Sequence, residues 1–511
     1  MRVYHNGKFW SHGKLFDWME VDQEGQITKT GTGAPPQSHE MIDLKGNYVL
    51  PGLQDAHIHV YSLGRTAFRL NLQKVGSISE LQQRLADYAS SNPELDWIVG
   101  FGWDQDLFKE KVYPSRFDLD AVVPDRPVVL LRACHHIGVV NSKALEILGV
   151  DRSTPSPEGG LIDKENGEPT GILREEALKL VTPHIENFDE DLRLKIFKLG
   201  LKECAKVGLT SVHTNDPKAW DSYRLLAEKD ELPVRVFLTL PYKDFMENPE
   251  IKVKDGFGLF SIERVKLFAD GSLGASTAAL GEPYSDGSAK DPEGRGVLIH
   301  ETDELREMIA NIVSRGFKTE THAIGDRAAE QVLEQYKQLG LKRQILTHCQ
   351  ILSPHVIQLL KDTETIANIQ PPFIYSDANW AESRVGSRIQ FSYAWKTLLE
   401  NGIVCAGGSD APIENPSPLE GLYAAVFRKT KDYPQGWHTE ECLTIEKGIE
   451  IYTIGAATAV DRSTTLGKLE PGYLADFIVL DHDIVSSPDL LKKANVLMTV
   501  VGGKIRFQQD N

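Results

Sequence analysis

The sequence predicts an α/β protein built on a closed parallel (β/α)8 barrel of the TIM type. A small β-sandwich domain made from both ends of the chain and a subdomain inserted after the first barrel strand complete it. Three observations predict this. Eight strand-like segments, ending between His59 and Asp410, alternate with stretches of helical periodicity, and repeated β-α alternation asks for a closed parallel sheet. The two chain ends have a different, all-β texture. The connection after the first barrel strand is far too long for a plain loop, so it carries structure of its own.

At the N-terminal end, Arg2-Val-Tyr, Phe16-Asp-Trp-Met-Glu-Val and Met41-Ile-Asp-Leu read as short strands broken by the turn signals Asn6-Gly7, Glu24-Gly25 and Gly46. Gly472-Tyr-Leu-Ala-Asp476-Phe-Ile-Val-Leu and Val496-Leu-Met-Thr-Val-Val repeat that texture at the other end. Neither piece alone is long enough to bury a core. Residues 1–49 and 464–511 are therefore expected to share one β domain, with 50–463 forming the barrel.

The first barrel strand is the run Asn47-Tyr-Val-Leu-Pro-Gly-Leu-Gln leading into Asp55-Ala-His57-Ile-His59. The others are Leu209-Thr-Ser-Val-His213, Val234-Arg-Val-Phe-Leu-Thr-Leu, Arg264-Val-Lys266-Leu-Phe, Phe317-Lys-Thr-Glu-Thr-His322, Gln344-Ile-Leu-Thr-His348, Thr365-Ile-Ala-Asn-Ile-Gln370 and Ile403-Val-Cys-Ala-Gly-Gly-Ser-Asp410. Between them lie helices such as Asp303-Glu-Leu-Arg-Glu-Met-Ile-Ala-Asn-Ile-Val, with Thr302 as its cap. The inserted subdomain runs from about 61 to about 182, with a helix from Ile78 and strands at Trp97-Ile-Val-Gly and Pro127-Val-Val-Leu-Leu-Arg. It is expected to sit over the barrel mouth.

Composition narrows the function. The chain has 511 residues, 41% hydrophobic and 25% charged, which fits a soluble enzyme and neither a disordered nor a membrane protein. Its formal charge of −17, from 56 Lys+Arg against 73 Asp+Glu, supplies no basic footprint for nucleic acid. The N-terminus lacks an apolar targeting core and no window reaches a membrane span, so a cytoplasmic location is expected. Cys134, Cys204, Cys349, Cys405 and Cys442 are widely spaced without a Cys-x-x-Cys pair, which points to free thiols.

His57 and His59 stand two apart at a strand end, and residues two apart in a strand share a face. Two parallel imidazoles make a metal chelate. A short His-x-His also occurs in plain surface turns; here the company decides. In a parallel barrel the C-terminal strand ends converge on one mouth, and Lys266, His322, His348 and Asp410 all stand at such ends.

These residues resemble the amidohydrolase superfamily, in particular its long branch of proteins like N-substituted formamide deformylase. The likeness is carried by Pro51-Gly-Leu-Gln-Asp-Ala-His57-Ile-His59, Val265-Lys266-Leu-Phe-Ala-Asp270-Gly, His322-Ala-Ile-Gly-Asp326-Arg, Thr347-His348-Cys-Gln350 and Gly408-Ser-Asp410-Ala-Pro. It implies a metal-dependent hydrolase of a small-molecule amide or N-formyl compound. His57, His59 and Asp410 would hold one divalent ion, His322 and His348 another, with Lys266 bridging as a carboxylated lysine. Imidazole and carboxylate donors suit Zn2+, with one or two ions present. The expected reaction uses metal-activated hydroxide, Asp410 as proton shuttle and His136 as a donor to the oxyanion. Trp103 and Tyr284 are expected to touch substrate. The alternative is an aminohydrolase acting on a ring amidine. That pattern places a Glu just after the fifth-strand His and has no need of the fourth-strand Lys, whereas here His322 is followed by Ala-Ile-Gly-Asp326 and Lys266 is present. Family habit alone points to a homodimer.

Overall fold

Eight strands line up in chain order in one parallel sheet: β1 (Leu53–Ile58), β2 (Leu209–Thr214), β3 (Arg235–Pro241), β4 (Phe260–Phe268), β5 (Lys318–Ala323), β6 (Ile345–His348), β7 (Ile366–Ile369) and β8 (Cys405–Gly407). The computed structural model describes residues 1–134, 136–185, 188–254 and 256–509. Every side chain of β1, β2, β6, β7 and β8 is buried, as expected of a parallel sheet covered on both faces. The sheet curls toward closure just past β8. The Asp410 N–H donates to the His57 carbonyl at 2.7 Å, and the His59 N–H donates to the Ala411 carbonyl at 2.9 Å.

Outer helices follow from their spacing. In Thr302–Ser314, Leu305, Ile309 and Ile312 fall on one face and are buried. The expected cap is displaced by one residue: Glu301 is the N-cap and Thr302 the first helical residue.

The run from Asn47 to His59 is not one strand. It breaks at Gly52 into Tyr48–Pro51, which belongs to a terminal sheet, and β1. A Cβ on Gly52 would lie 2.3 Å from Thr210 Oγ1, so only glycine lets the chain pass from one sheet to the next this close to β2.

Strands from both chain ends share a six-stranded sheet, ordered Lys504–Gln508, Val496–Val501, Phe477–Leu480, Tyr48–Pro51, Lys8–Ser11, Lys14–Phe16. A second sheet contains Ile27–Gly31, Trp18–Val21, Arg2–His5 and Glu40–Asp43. One core joins them: Tyr4, Met19 and Ile27 pack with Phe9, Val49, Phe477, Val479 and Val500. Asp476 ties this domain to the barrel, accepting two hydrogen bonds from Arg235 at 2.6 and 3.0 Å.

Contacts divide the chain into two compact units, Met1–Leu63 with Gly200–Asn511, and Gly64–Leu199. The second unit has its own six-stranded mixed sheet. Alternate residues of its strands feed two cores: Ile98, Val128 and Leu130 pack with Leu81 and Leu85 of the helix Ile78–Ser91, while Val99 and Val129 pack with Leu145 and Leu173. Period-two alternation thus covers both faces. Among the described residues, no helix is long and apolar enough to cross a membrane. All five cysteines are free.

Candidate metal centre

The centre begins with β1. His57 is the last residue but one of that buried strand and His59 follows the strand end, so the two imidazoles meet edge to face with ring centroids 5.2 Å apart. The seam bonds bring the turn after β8 against them. Asp410 there has φ +58°, and His348 at the end of β6 has φ +83°. Non-glycine residues held in this left-handed region cluster at functional sites.

Asp410 Oδ1 lies 3.4 Å from His57 Nε2 and 3.1 Å from His59 Nε2. The ligand atoms of His57, His59 and Asp410 all fall within 4.8 Å of one another. Two donors held about 2.1 Å from a tetrahedral zinc are about 3.4 Å apart, so both His-to-Asp spacings are close to those of a shared ion.

The far side of each ring fixes its tautomer. His59 Nδ1 lies 2.9 Å from the Asn215 carbonyl, which can only accept. His57 Nδ1 lies 2.8 Å from Glu320 Oε1. Both Nδ1 atoms therefore carry the hydrogen, leaving the Nε2 lone pairs for a cation.

The electrostatics match. Burial opposes ionisation of Asp410, yet the His59 hydrogen bond and the fields of His57 and His348 outweigh it and hold the carboxyl below its ordinary range. Burial favours neutral His59, but its hydrogen bond to Asp410 and that residue's charge raise its pKa above the ordinary value. Burial, reinforced by Lys266, pushes His57 down to about 4. Without a metal, Asp410 favours the protonated form of His59.

His348 and His322 lie beside this group. The His348 ring is 5.5 Å from that of His57 and 4.5 Å from that of His322. His348 Nδ1 lies 2.8 Å from Gln370 Oε1, and Gln370 donates onward to Asn368, which orients the amide. His322 Nε2 turns to the Gly271 carbonyl at 2.9 Å. Among the described residues, the group with ligand-atom spacing is His57, His59 and Asp410 alone.

Two acids of the resemblance motifs have other work. Asp270 accepts the backbone N–H groups of Ala279, Ile324 and Gly325, and Asp326 accepts that of Gly281. They clamp the loops that follow β4 and β5.

Lys266 is buried and its Nζ has no hydrogen-bond partner, although Glu320 Oε1 lies 3.5 Å away. Burial lowers the amine's pKa against the pull of Glu320 and Asp410. Glu320 is the functional candidate that reading the sequence missed. Burial opposes its charge, but Arg264, Lys266 and His57 outweigh that and hold it far below the ordinary carboxylate range. Its one signal was position: two residues before His322 on the same strand, hence on the same inward face.

The remaining expected residues are placed as follows. Tyr284 is buried and its hydroxyl donates to the Ala278 carbonyl at 3.0 Å. In the second unit, His136 is exposed with Nδ1 2.9 Å from Glu175. Trp103 is 0% exposed within that unit's core and donates its indole N–H to the Leu130 carbonyl, so it packs and offers no open surface.

A profile of the amidohydrolase family matches residues 40–507. YtcJ of Bacillus subtilis (strain 168) is 34% identical over 99% of this chain and 99% of its own length. N-substituted formamide deformylase of Arthrobacter pascens is 24% identical over 95% of this chain and 94% of its own. The crystal structure of a metal-dependent hydrolase from Pyrococcus furiosus superposes with a TM-score of 0.78 at 29% identity, covering 95% of this chain and 99% of that one.

Proposed function

Because the chain belongs to the amidohydrolase family, we propose that this hydrolase cleaves the C–N bond of a small amide or N-formyl compound at the His57, His59 and Asp410 centre. The observation that carries the reading is the donor set itself: two imidazoles anchored through Nδ1, with Nε2 atoms aimed at one carboxylate at ion-sharing distance. A divalent ion held there would supply the Lewis acidity that makes water nucleophilic and polarises a carbonyl, and zinc is the ion we propose because it accepts imidazole and carboxylate donors together.

The chain's own groups do the rest. Asp410, kept ionised by the histidines around it, takes a proton from the attacking water and returns it to the leaving amine. Hydrolysis of an amide needs that transfer, since an amide nitrogen leaves only when protonated. Tyr284 is a proposed substrate neighbour on the loop after β4. We propose that the neutral amine of Lys266 adds dissolved carbon dioxide and loses a proton to give a carbamate, which would serve a second ion together with His322 and His348; a buried amine with no hydrogen-bond partner and a lowered pKa supports it. The ring-amidine alternative has less to stand on. The acid nearest to the expected place after His322 is Asp326, and one of its oxygens is taken by the Gly281 N–H.

A panel of N-formyl and N-acyl amines, incubated with zinc-loaded protein and assayed for released amine, tests the reading. Amine release that disappears on chelation supports it. Ammonia from ring amidines with no release from any amide would replace it with the aminohydrolase.

A further inference from the structure

We propose that Glu320 is the positioning residue of the centre: a buried carboxylate that holds His57 in the orientation and tautomer that present Nε2 to the ion. The inference rests on the metal reading above and adds a residue to it.

Geometry carries the argument. Glu320 projects from β5 into the barrel, 1% exposed. Its Oε1 lies 2.8 Å from His57 Nδ1 on β1 and accepts from Thr347 Oγ1 on β6 at 3.2 Å. Its Oε2 accepts from Thr239 Oγ1 on β3 at 2.9 Å and lies 3.3 Å from Arg264 Nε on β4. Five strands thus meet on one carboxylate, and two threonine hydroxyls fix its plane independently of the charges. A side chain held from that many directions has little freedom to turn, so the ring it holds has little freedom either. His57 needs this more than His59, whose Nδ1 is already fixed by a backbone carbonyl. Imidazole ligands that donate to a carboxylate are also stronger donors to their metal.

The dull alternative is that Glu320 only neutralises Arg264 and Lys266. Arg264 is buried, and none of its guanidinium nitrogens has hydrogen-bond geometry despite the short approach to Glu320. Removing the carboxylate alone would therefore leave buried cations uncompensated, a defect of folding as much as of metal binding. The double variant Glu320→Gln with Arg264→Met removes one charge of each sign and separates the two roles.

The test is zinc affinity, measured on full-length metal-free protein by competition with a chromophoric chelator. Glu320→Gln and the double variant should each bind zinc about 10- to 100-fold more weakly than wild type, the usual cost of losing such a partner, while Arg264→Met alone keeps wild-type affinity. Glu320→Asp, which keeps the charge but shortens the reach, should recover little. Wild-type zinc affinity in the double variant would overturn the positioning role and leave Glu320 as a counter-charge. If wild-type protein itself takes up no zinc, the metal centre falls as well, an outcome distinct from wild-type uptake with unaltered variants.

Discussion

His59 and Asp410 meet across the seam that closes the barrel, Nε2 to Oδ1 at 3.1 Å, while the His59 backbone N–H binds the Ala411 carbonyl one residue away. The side-chain contact is thus set by the same backbone bonds that join the first strand to the turn after the last. The closure of the sheet and the geometry of the site share the same backbone bonds.

Replacing Asp410 by Asn keeps the shape and one coordinating oxygen but removes the proton acceptor. Turnover should fall at least about 100-fold, the usual worth of general acid-base catalysis, with much of the metal retained. Turnover near wild type in a metal-loaded Asn variant would take the proton transfer away from Asp410.

The His59 pKa is raised in the metal-free protein, by Asp410 against the opposing effect of burial. A raised folded pKa contributes stability that is full below the unfolded value of about 6.5 and is lost as pH rises through the folded value. A bound cation takes over the proton's role at Asp410 and removes that loss. The gap in Tm between zinc-loaded and metal-free protein should therefore widen as pH rises from about 6.5, and apparent zinc affinity should rise over the same window. A constant or narrowing gap would show that no proton competes with the metal at His59.

Lys266→Ala should abolish binding of the second ion while the His57, His59 and Asp410 ion stays. A short carboxylic acid should partly restore it by standing in for the carbamate. Mass analysis and metal counting of wild-type protein prepared with bicarbonate check the premise; an unmodified lysine and a single ion would refute the bridge.

Deleting the last forty residues removes Phe477, Val479, Met498 and Val500 from the core they share with Tyr4, Phe9 and Val49. Each buried side chain of this kind is worth about 1.5–3 kcal/mol, and its partners would be left open to solvent. The truncated protein should aggregate, as read by light scattering. A soluble, active truncation would mean that the N-terminal strands hold their own core.

The fold was readable because its signals are local: hydrophobic runs with β spacing, helical stretches between them, and a connection too long to be a loop. His57, His59 and Asp410 were readable for a related reason, since strand periodicity and barrel topology together send strand ends to one mouth. What was not readable depends on closeness between distant strands. Glu320 looked like an ordinary charged residue in Thr319-Glu320-Thr321-His322 until β1, β3, β4 and β6 converged on it. Gly52 looked like the middle of a strand until Thr210 left no room for a side chain. Trp103, expected to touch substrate, ends the strand Ile98–Trp103 and packs in the second unit's apolar core, its indole N–H on the Leu130 carbonyl.

The central claim is that a divalent ion sits between His57, His59 and Asp410. Anomalous diffraction at the zinc edge, from crystals grown with zinc, tests it most directly. The account predicts a peak about 2.0–2.1 Å from both Nε2 atoms and within bonding distance of an Asp410 carboxylate oxygen. A fully loaded crystal whose zinc peaks fall only on exposed histidines, with none at this cluster, would contradict it.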